Sequence, residues 1–218
     1  MKELNTLAAP FFLALLTVAC CVMAFTLDSY SLLVFTLCAL VTVVGVGLNV
    51  LIGLSGQISF GHIAFYAIGA YITALLTLAG WPLWLALPIA GAVAGLVGAL
   101  LAIPALRVSG PYLAMITIAF AFVVHHGLIE WRDVTGGSNG LMGIPLPEVA
   151  GLDPAVLLAL LATALMIGAL LFYQRLCRSS WGKAMRAVKA SEIAARSLGF
   201  NPVISKTLAF ALSAALTG

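Results

Sequence analysis

The chain has 218 residues, of which 63% are hydrophobic and only 8% charged, with a formal net charge of +3. A soluble domain carries about 25% charged residues, because charge keeps its surface dispersed in water, so this composition excludes an ordinary soluble fold. Nearly all the basic charge sits in one loop, which is not the pattern of a nucleic-acid-binding face.

A membrane span needs about 20 apolar residues to cross a hydrocarbon core of about 30 Å. In chain order, residues 8–27, 32–52, 60–79, 83–103, 111–129 and 155–173 meet that requirement. The first run could pass for a signal peptide, but no small-x-small cleavage site follows and a second apolar run comes at once. A seventh run begins near Lys206 and is cut off at Gly218. Half a span would leave backbone groups unsatisfied in lipid, so the polypeptide is expected to continue. The expected fold is an all-α, polytopic transmembrane bundle of six full spans plus part of a seventh, forming one domain over 1–218.

Charge sets the orientation. The 174–206 segment holds Arg175, Arg178, Lys183, Arg186, Lys189, Arg196 and Lys206 against the single acid Glu192, so it is placed in the cytosol. Counting back through the spans puts Arg107, Lys2 and the N-terminus inside as well. Asp28, Asp133, Glu148 and Asp153 fall outside, with Glu130 at that edge and Arg132 the lone external base. The external 130–154 loop is rich in glycine and proline, which favours turns. Trp81, Trp84 and Trp131 suit the outer interface.

Four segments could carry function. Gly53-Leu-Ser-Gly-Gln-Ile-Ser-Phe-Gly-His62 joins the second and third apolar runs without a charge, yet is dense in glycine and small polar groups. Two readings stand side by side. Transporters place interrupted backbone where free amides and carbonyls face a substrate or cavity. Alternatively this is a tight cytosolic turn, with Ser59 capping the next helix. His62 is either a packing histidine or an ionisable group at a span's edge.

Small residues recur within spans at Gly91, Gly95 and Gly98, and at Gly61, Gly69 and Ala70, a spacing that lets helix backbones approach and is best explained by packing. His125 and His126 precede Glu130, but no further ligand sits at useful spacing, so they read as an interfacial polar edge. Cys20, Cys21, Cys38 and Cys177 form no Cys-x-x-Cys pair or Cys/His ligand spacing, so neither a metal site nor a disulfide framework is expected.

Residues 182–199 are the most informative. On one continuous helix, Lys183, Arg186, Lys189, Glu192 and Arg196 share a side, while Ala184, Ala187, Val188, Ser191, Ala194, Ala195 and Leu198 form the other. A lipid-lying helix usually carries large apolar residues. The mostly alanine face suits a protein groove, so a docking helix for a cytosolic partner is preferred to one resting on anionic membrane lipid. Gly199 followed by Pro202 stops it.

Several blocks together resemble the permeases of branched-chain amino-acid ABC importers. They are Gly47-Leu-Asn-Val-Leu-Ile-Gly-Leu-Ser-Gly-Gln-Ile-Ser-Phe-Gly-His-Ile-Ala-Phe65 continuing through Gly69-Ala-Tyr71, Gly110-Pro-Tyr-Leu-Ala-Met-Ile-Thr117 and Thr135-Gly-Gly-Ser-Asn-Gly-Leu-Met-Gly-Ile-Pro145. Gly182-Lys-Ala-Met-Arg-Ala-Val-Lys189 and Glu192-Ile-Ala-Ala-Arg-Ser-Leu-Gly199 complete the set. The Thr-Gly-Gly loop points to the second of the two homologous permeases such importers pair.

The resemblance implies an ATP-driven importer in a bacterial inner membrane, with a homologous second permease, cytosolic ATP-binding subunits and a periplasmic substrate-binding protein. It implies ATPase coupling through Gly182, Arg186, Glu192, Ala194, Ala195 and Gly199. The Glu-Ala-Ala…Gly pattern is met except that Ile193 intervenes after Glu192. Asn49, Gln57, Ser59 and His62 are the expected substrate-pathway residues.

No Gly-x-x-x-x-Gly-Lys-Ser/Thr loop is present, so ATP chemistry is expected in partner subunits, with no cofactor and no catalytic residue in this chain. A permease for urea or another small solute is the neighbouring alternative. An ion-driven secondary transporter would want ionisable groups at the bilayer midplane, and none is clearly central. A membrane enzyme would want a nucleophile–base pair, a metal cluster or a carboxylate dyad in the spans, and none appears there.

Overall fold

The computed structural model describes residues 15–105, 108, 111–147 and 151–218. Lys2, residues 8–14 of the first expected span, Arg107, Gly110 and Glu148 lie outside the described residues. Every apolar run is helical where described: α1 (Leu15–Thr26), α2 (Ser29–Leu48), α3 (His62–Leu78), α4 (Leu83–Ala105), α5 (Pro111–Glu130), α7 (Pro154–Arg178) and α10 (Pro202–Thr217). Short helices α6 (Arg132–Thr135), α8 (Ser180–Ala190) and α9 (Glu192–Ser197) lie in the two long connections.

Among the described residues, four helical segments are long and apolar enough to cross a membrane: Ser29–Leu54, Leu83–Pro104, Tyr112–Glu130 and Pro154–Arg178. Three apolar helices are shorter, Leu15–Thr26, His62–Leu78 and Pro202–Thr217. These helices are apolar around their whole circumference. Leu96, Leu100, Ile103, Met115, Phe122 and Val123 are all exposed, the inverse of a soluble surface. Several side-chain hydroxyls are satisfied within their own helices: Thr36, Thr42 and Thr163 each donate to the carbonyl four residues back. Lipid offers no alternative partner.

The chain forms two compact units, residues 1–43 with 146–172, and residues 44–145 with 173–218. In the first, α1 and the leading parts of α2 and α7 meet through small residues. Cys20, Ala39, Ala162 and Met166 form one cluster, and Ala24, Leu32 and Ala159 another. Cys20 thus sits as a small hydrophobe.

In the second unit α10 packs along α4, and the glycine spacing explains how closely. A Cβ on Gly91 would lie 3.0 Å from the Ala215 carbonyl oxygen, and one on Gly95 would lie 3.0 Å from the Ala215 Cβ. One on Gly98 would meet the Ala214 Cβ and lie 3.0 Å from the Phe210 carbonyl oxygen. The stripe is the packing seam between two helices, as its spacing predicts. Phe210, Met185, Leu51, Leu54 and Ala102 close the core beneath it.

The connection that follows α5 is turn-rich and pinned by a single hydroxyl. Thr135 Oγ1 donates to the carbonyls of Leu128 (2.5 Å) and Trp131 (2.9 Å) and accepts from the Gly137 amide. Gly136, at φ +75°, then turns the chain through a conformation that costs other residues 1–2 kcal/mol or so.

Candidate functional site

The connection between α2 and α3 is not a simple turn. The end of α2 widens into a π-helical segment, Asn49–Leu54. Gly53 makes room for it: a Cβ there would collide with the Asn49 side-chain oxygen, which lies over the Gly53 backbone. Single π turns are rare, and they cluster at functional sites. Residues 55–61 then run without regular structure until α3 starts at His62.

Hydrogen bonds fix where this segment goes. His62 Nε2 lies 2.7 Å from Ser213 Oγ, and Ser213 Oγ donates to the Gly47 carbonyl at 2.6 Å. Gly47 is seven residues before Leu54, roughly 10 Å along a helix at 1.5 Å per residue. Ser213 is eleven residues into α10, roughly 17 Å from its first residue by the same rise. The chain therefore leaves α2 at one end of the unit and doubles back into the protein before α3 begins. This re-entry explains why α3 has only 17 residues where a span of about 20 was expected.

Non-helical backbone at such depth is tolerated only where protein or a cavity satisfies it. Here the Gln57 amide donates to the Leu51 carbonyl, the Phe60 amide to Thr117 Oγ1 of α5 at 3.0 Å, and the Gly61 amide to Ser59 Oγ. Gln57 Nε2 donates to Ser55 Oγ at 2.6 Å. A Cβ on Gly61 would lie 2.9 Å from the Thr117 carbonyl oxygen, so this glycine is a point of close backbone approach. Ser55, Gln57, Ser59, His62, Thr117 and Ser213 are all buried. Asn49, named with them from sequence, is exposed.

The tautomer of His62 follows from the donor inventory. The Ser213 hydroxyl has one proton and gives it to Gly47, so His62 Nε2 carries a proton and donates to Ser213. Nδ1 is then a bare acceptor, and it is the one buried side-chain polar atom without a partner among the described residues. A buried acceptor left unpaired is a place where a donor group would be bound favourably.

The 174–206 connection meets the same end of the unit. It forms two helices rather than the one continuous 182–199 helix expected. Ser191 is extended at φ −162°, and its hydroxyl accepts from the Ala194 amide to cap α9. The alanine side is therefore not one surface: Gly182, Ala184, Met185 and Val188 are buried within this chain, as is Ala195, whereas Ala194 is exposed.

The six expected coupling residues divide accordingly. Gly182 sits against the Leu176 carbonyl with no space for a Cβ, and its amide is capped by Ser179. Arg186 donates to the Cys177 carbonyl at 2.5 Å, closing the end of α7. Glu192 pairs with Lys206 of α10. Gly199 turns the chain at φ +84°. Beside Ala194 and Gly199, Ile193 and Leu198 are 85% and 72% exposed, large apolar side chains with little cover from the described residues.

Lys189 joins the two segments. Its Nζ donates to the carbonyls of Gly53 (2.8 Å) and Ile52 (3.3 Å), at the end of the π-helical segment. Sequence reading had placed it only on a charged face. Neither it, Ser213 nor Thr117 was singled out, since each is defined by a partner 57 or more residues away.

A bundle of apolar helices with a broken, polar, re-entrant segment tied to a basic loop has the architecture of a membrane transporter. The family model described as "Branched-chain amino acid transport system / permease component" matches residues 30–218, and the chain belongs to that family. It is a multi-pass membrane protein, a transporter subunit by family. It is 36% identical to the high-affinity branched-chain amino acid transport system permease protein LivM of Salmonella typhimurium and, equally, of Escherichia coli. Each alignment covers 98% of this chain and 56% of the relative, so the chain spans about half the length of the curated relatives it matches. No solved structure matches it.

Proposed function

We propose that the chain is part of the permease subunit of an ATP-driven importer that moves branched-chain amino acids into the cytoplasm of a bacterium across the inner membrane. The observation that carries this reading is the tie between a buried, re-entrant polar segment and a basic loop exposing an apolar pair, within a family whose relatives are named as branched-chain amino acid permeases.

In this reading residues 1–218 are one permease domain with six full spans and α10 as part of a seventh. The N-terminus and the 174–206 coupling loop are cytosolic. Both ends of the Lys189 contact then fall on the cytosolic side, as the charge-based orientation requires.

The partners are a homologous second permease, cytosolic ATP-binding subunits and a periplasmic substrate-binding protein. Ile193, Ala194, Leu198 and Gly199 meet the ATPase. Gly182, Arg186, Glu192 and Ala195 hold α8 and α9 in the shape that presents them. Closure of the ATPase pair on ATP moves this loop, and the spans switch between outward and inward access. Gln57, Ser59 and His62, with Asn49 at the start of the break, lie along the substrate path. The bare Nδ1 of His62 suits a donor group such as an ammonium, and the surrounding apolar side chains suit an aliphatic one.

The test is uptake of radiolabelled leucine into proteoliposomes holding the full-length protein, its partner permease, ATPases and binding protein, with and without ATP. ATP-dependent uptake that is lost without this subunit supports the reading. ATP-dependent uptake of urea or another solute in place of leucine keeps the architecture and changes the substrate. Uptake driven by an ion gradient alone overturns it.

A further inference from the structure

The Lys189 contact is more than one hydrogen bond. The last carbonyls of any helix lack intrahelical partners, and a cation near them is favourable both as a donor and against the helix dipole. At the end of the π-helical Asn49–Leu54, Lys189 Nζ donates to the Gly53 carbonyl and shares the Ile52 carbonyl with the Gly56 amide.

The lysine stem is held as well. A Cβ on Gly56 would lie 2.8 Å from Lys189 Cγ and 3.2 Å from its Cδ, so the methylenes lie across the Gly56 backbone. Gly56 itself sits at φ +71°, a left-handed conformation suited to glycine. The first residues of the re-entrant segment thus form a seat for one side chain of α8. The face of α8 that carries Met185 and Val188 is buried, with Met185 in the same core as Leu51 and Leu54 of the π-helical segment. Helix α8 and the start of the re-entry are joined at that core and at the lysine.

From this clasp we propose that Lys189 is a positioning residue that transmits movement of the 174–206 loop to the re-entrant 55–61 segment. The proposal rests on the importer reading for the source of the movement, and on the described contacts alone for the clasp. A rigid core contact carries a push. A charged donor also carries a pull, because withdrawing it would take from the Gly53 carbonyl its lysine partner and part the ammonium from the negative end of the helix. Coupling between sites amounts to a factor of about 5–150.

The experiment compares Lys189→Met, which keeps an unbranched stem over Gly56 and removes the donor, with Lys189→Arg, which restores one. Both are made in the full-length protein, assembled with its partners in proteoliposomes. Leucine uptake per ATP hydrolysed is expected to fall about tenfold in Lys189→Met and to recover in Lys189→Arg. ATPase subunits should co-purify with both variants in wild-type amounts. Equal uptake per ATP in Lys189→Met and wild type overturns the proposal. So does loss of co-purification, which would make Lys189 a determinant of assembly rather than of transmission.

A second readout does not depend on transport. On a background without native cysteines, Ser59→Cys places a thiol on a buried position of the segment. Its reaction with a maleimide is expected to quicken about tenfold when Lys189→Met is added and to slow again with Lys189→Arg. Unchanged reactivity overturns the clasp. Failure of ATP-driven uptake in the wild type, with the reactivity change intact, defeats the importer reading and leaves the clasp standing.

Discussion

The chain His62–Ser213–Gly47 allows a prediction whose size can be worked out. Substituting Ser213→Ala removes the acceptor for His62 Nε2 and the extra donor to the Gly47 carbonyl. Interhelical hydrogen bonds inside membrane proteins average about 0.6 kcal/mol, so two losses account for about 1.2 kcal/mol. The larger effect is on the histidine. Its Nδ1 already lacks a partner, so the variant leaves both ring nitrogens of a buried imidazole unpaired. An orphaned polar group adds about 1–3 kcal/mol. The expected destabilisation is therefore about 2–4 kcal/mol. Replacing His62→Leu as well removes the orphan, because exchanging both partners for apolar groups can be nearly neutral. The double variant should thus be more stable than Ser213→Ala by about 1 kcal/mol or more. Reversible unfolding of the purified protein in mixed micelles measures all four corners of this cycle. Additive destabilisation, with the double variant the weakest of the four, would refute the assignment of a proton to Nε2 and the chain built on it.

Other substitutions probe separate elements. Gly95→Leu forces a side chain between α4 and α10 where even a Cβ would lie 3.0 Å from Ala215, and it should abolish folded protein as judged by size-exclusion profiles. Gly56→Ala strains the backbone by about 1–2 kcal/mol and displaces the lysine stem, so its uptake should fall with that of Lys189→Met rather than independently. Thr135→Val removes the hydroxyl that pins the turn after α5, and limited proteolysis there should accelerate severalfold with uptake of leucine reduced less than the cleavage rate rises. Ile193→Asp with Leu198→Asp places charge on the exposed pair, and ATPase co-purification should drop at least tenfold while the permease itself stays folded.

What could be read from the sequence differed by the range of the interaction. The apolar runs are local, and each became a helix within a few residues of its expected ends where described, because composition alone decides whether a segment can face lipid. The Gly91, Gly95 and Gly98 seam was legible for the same reason, since spacing along one helix defines one face. The break near Gly53 was visible as a cluster of glycines, but its re-entry was not. Whether such a segment turns outward or doubles back depends on Thr117, Ser213 and Lys189, none of which is near it in the chain.

The split of the 182–199 helix had a local signal that the charge pattern obscured. Ser191 followed by an acid in the next position is a helix start, and the three- and four-residue spacing of Lys183, Arg186, Lys189, Glu192 and Arg196 runs straight across it. Periodicity reported the two helices as one because it counts positions and not backbone angles. The difference matters for function, since the part of the alanine face on α8 that carries Ala184 and Val188 is consumed inside the chain, as is Ala195 of α9, while Ala194 and Leu198 stay exposed. With the face divided in this way, a partner touching Ile193 and Leu198 acts on a loop braced twice against its own chain. Glu192 ties α9 to Lys206 at the start of α10, and Ser213 further along α10 ties it to His62. Lys189, just before Ser191, ties α8 to Gly53. The two routes reach opposite ends of the same re-entrant segment, so a displacement of the loop bends residues 55–61 unless both ends move together. Charge exchange at the first tie tests the route through α10: Glu192→Lys should lower uptake, and adding Lys206→Glu should restore it without altering the maleimide reactivity set by Lys189. Restoration failing, with both variants folded, would refute the route through α10 and leave the α8 contacts, the lysine clasp among them, to carry the loop's movement to the segment.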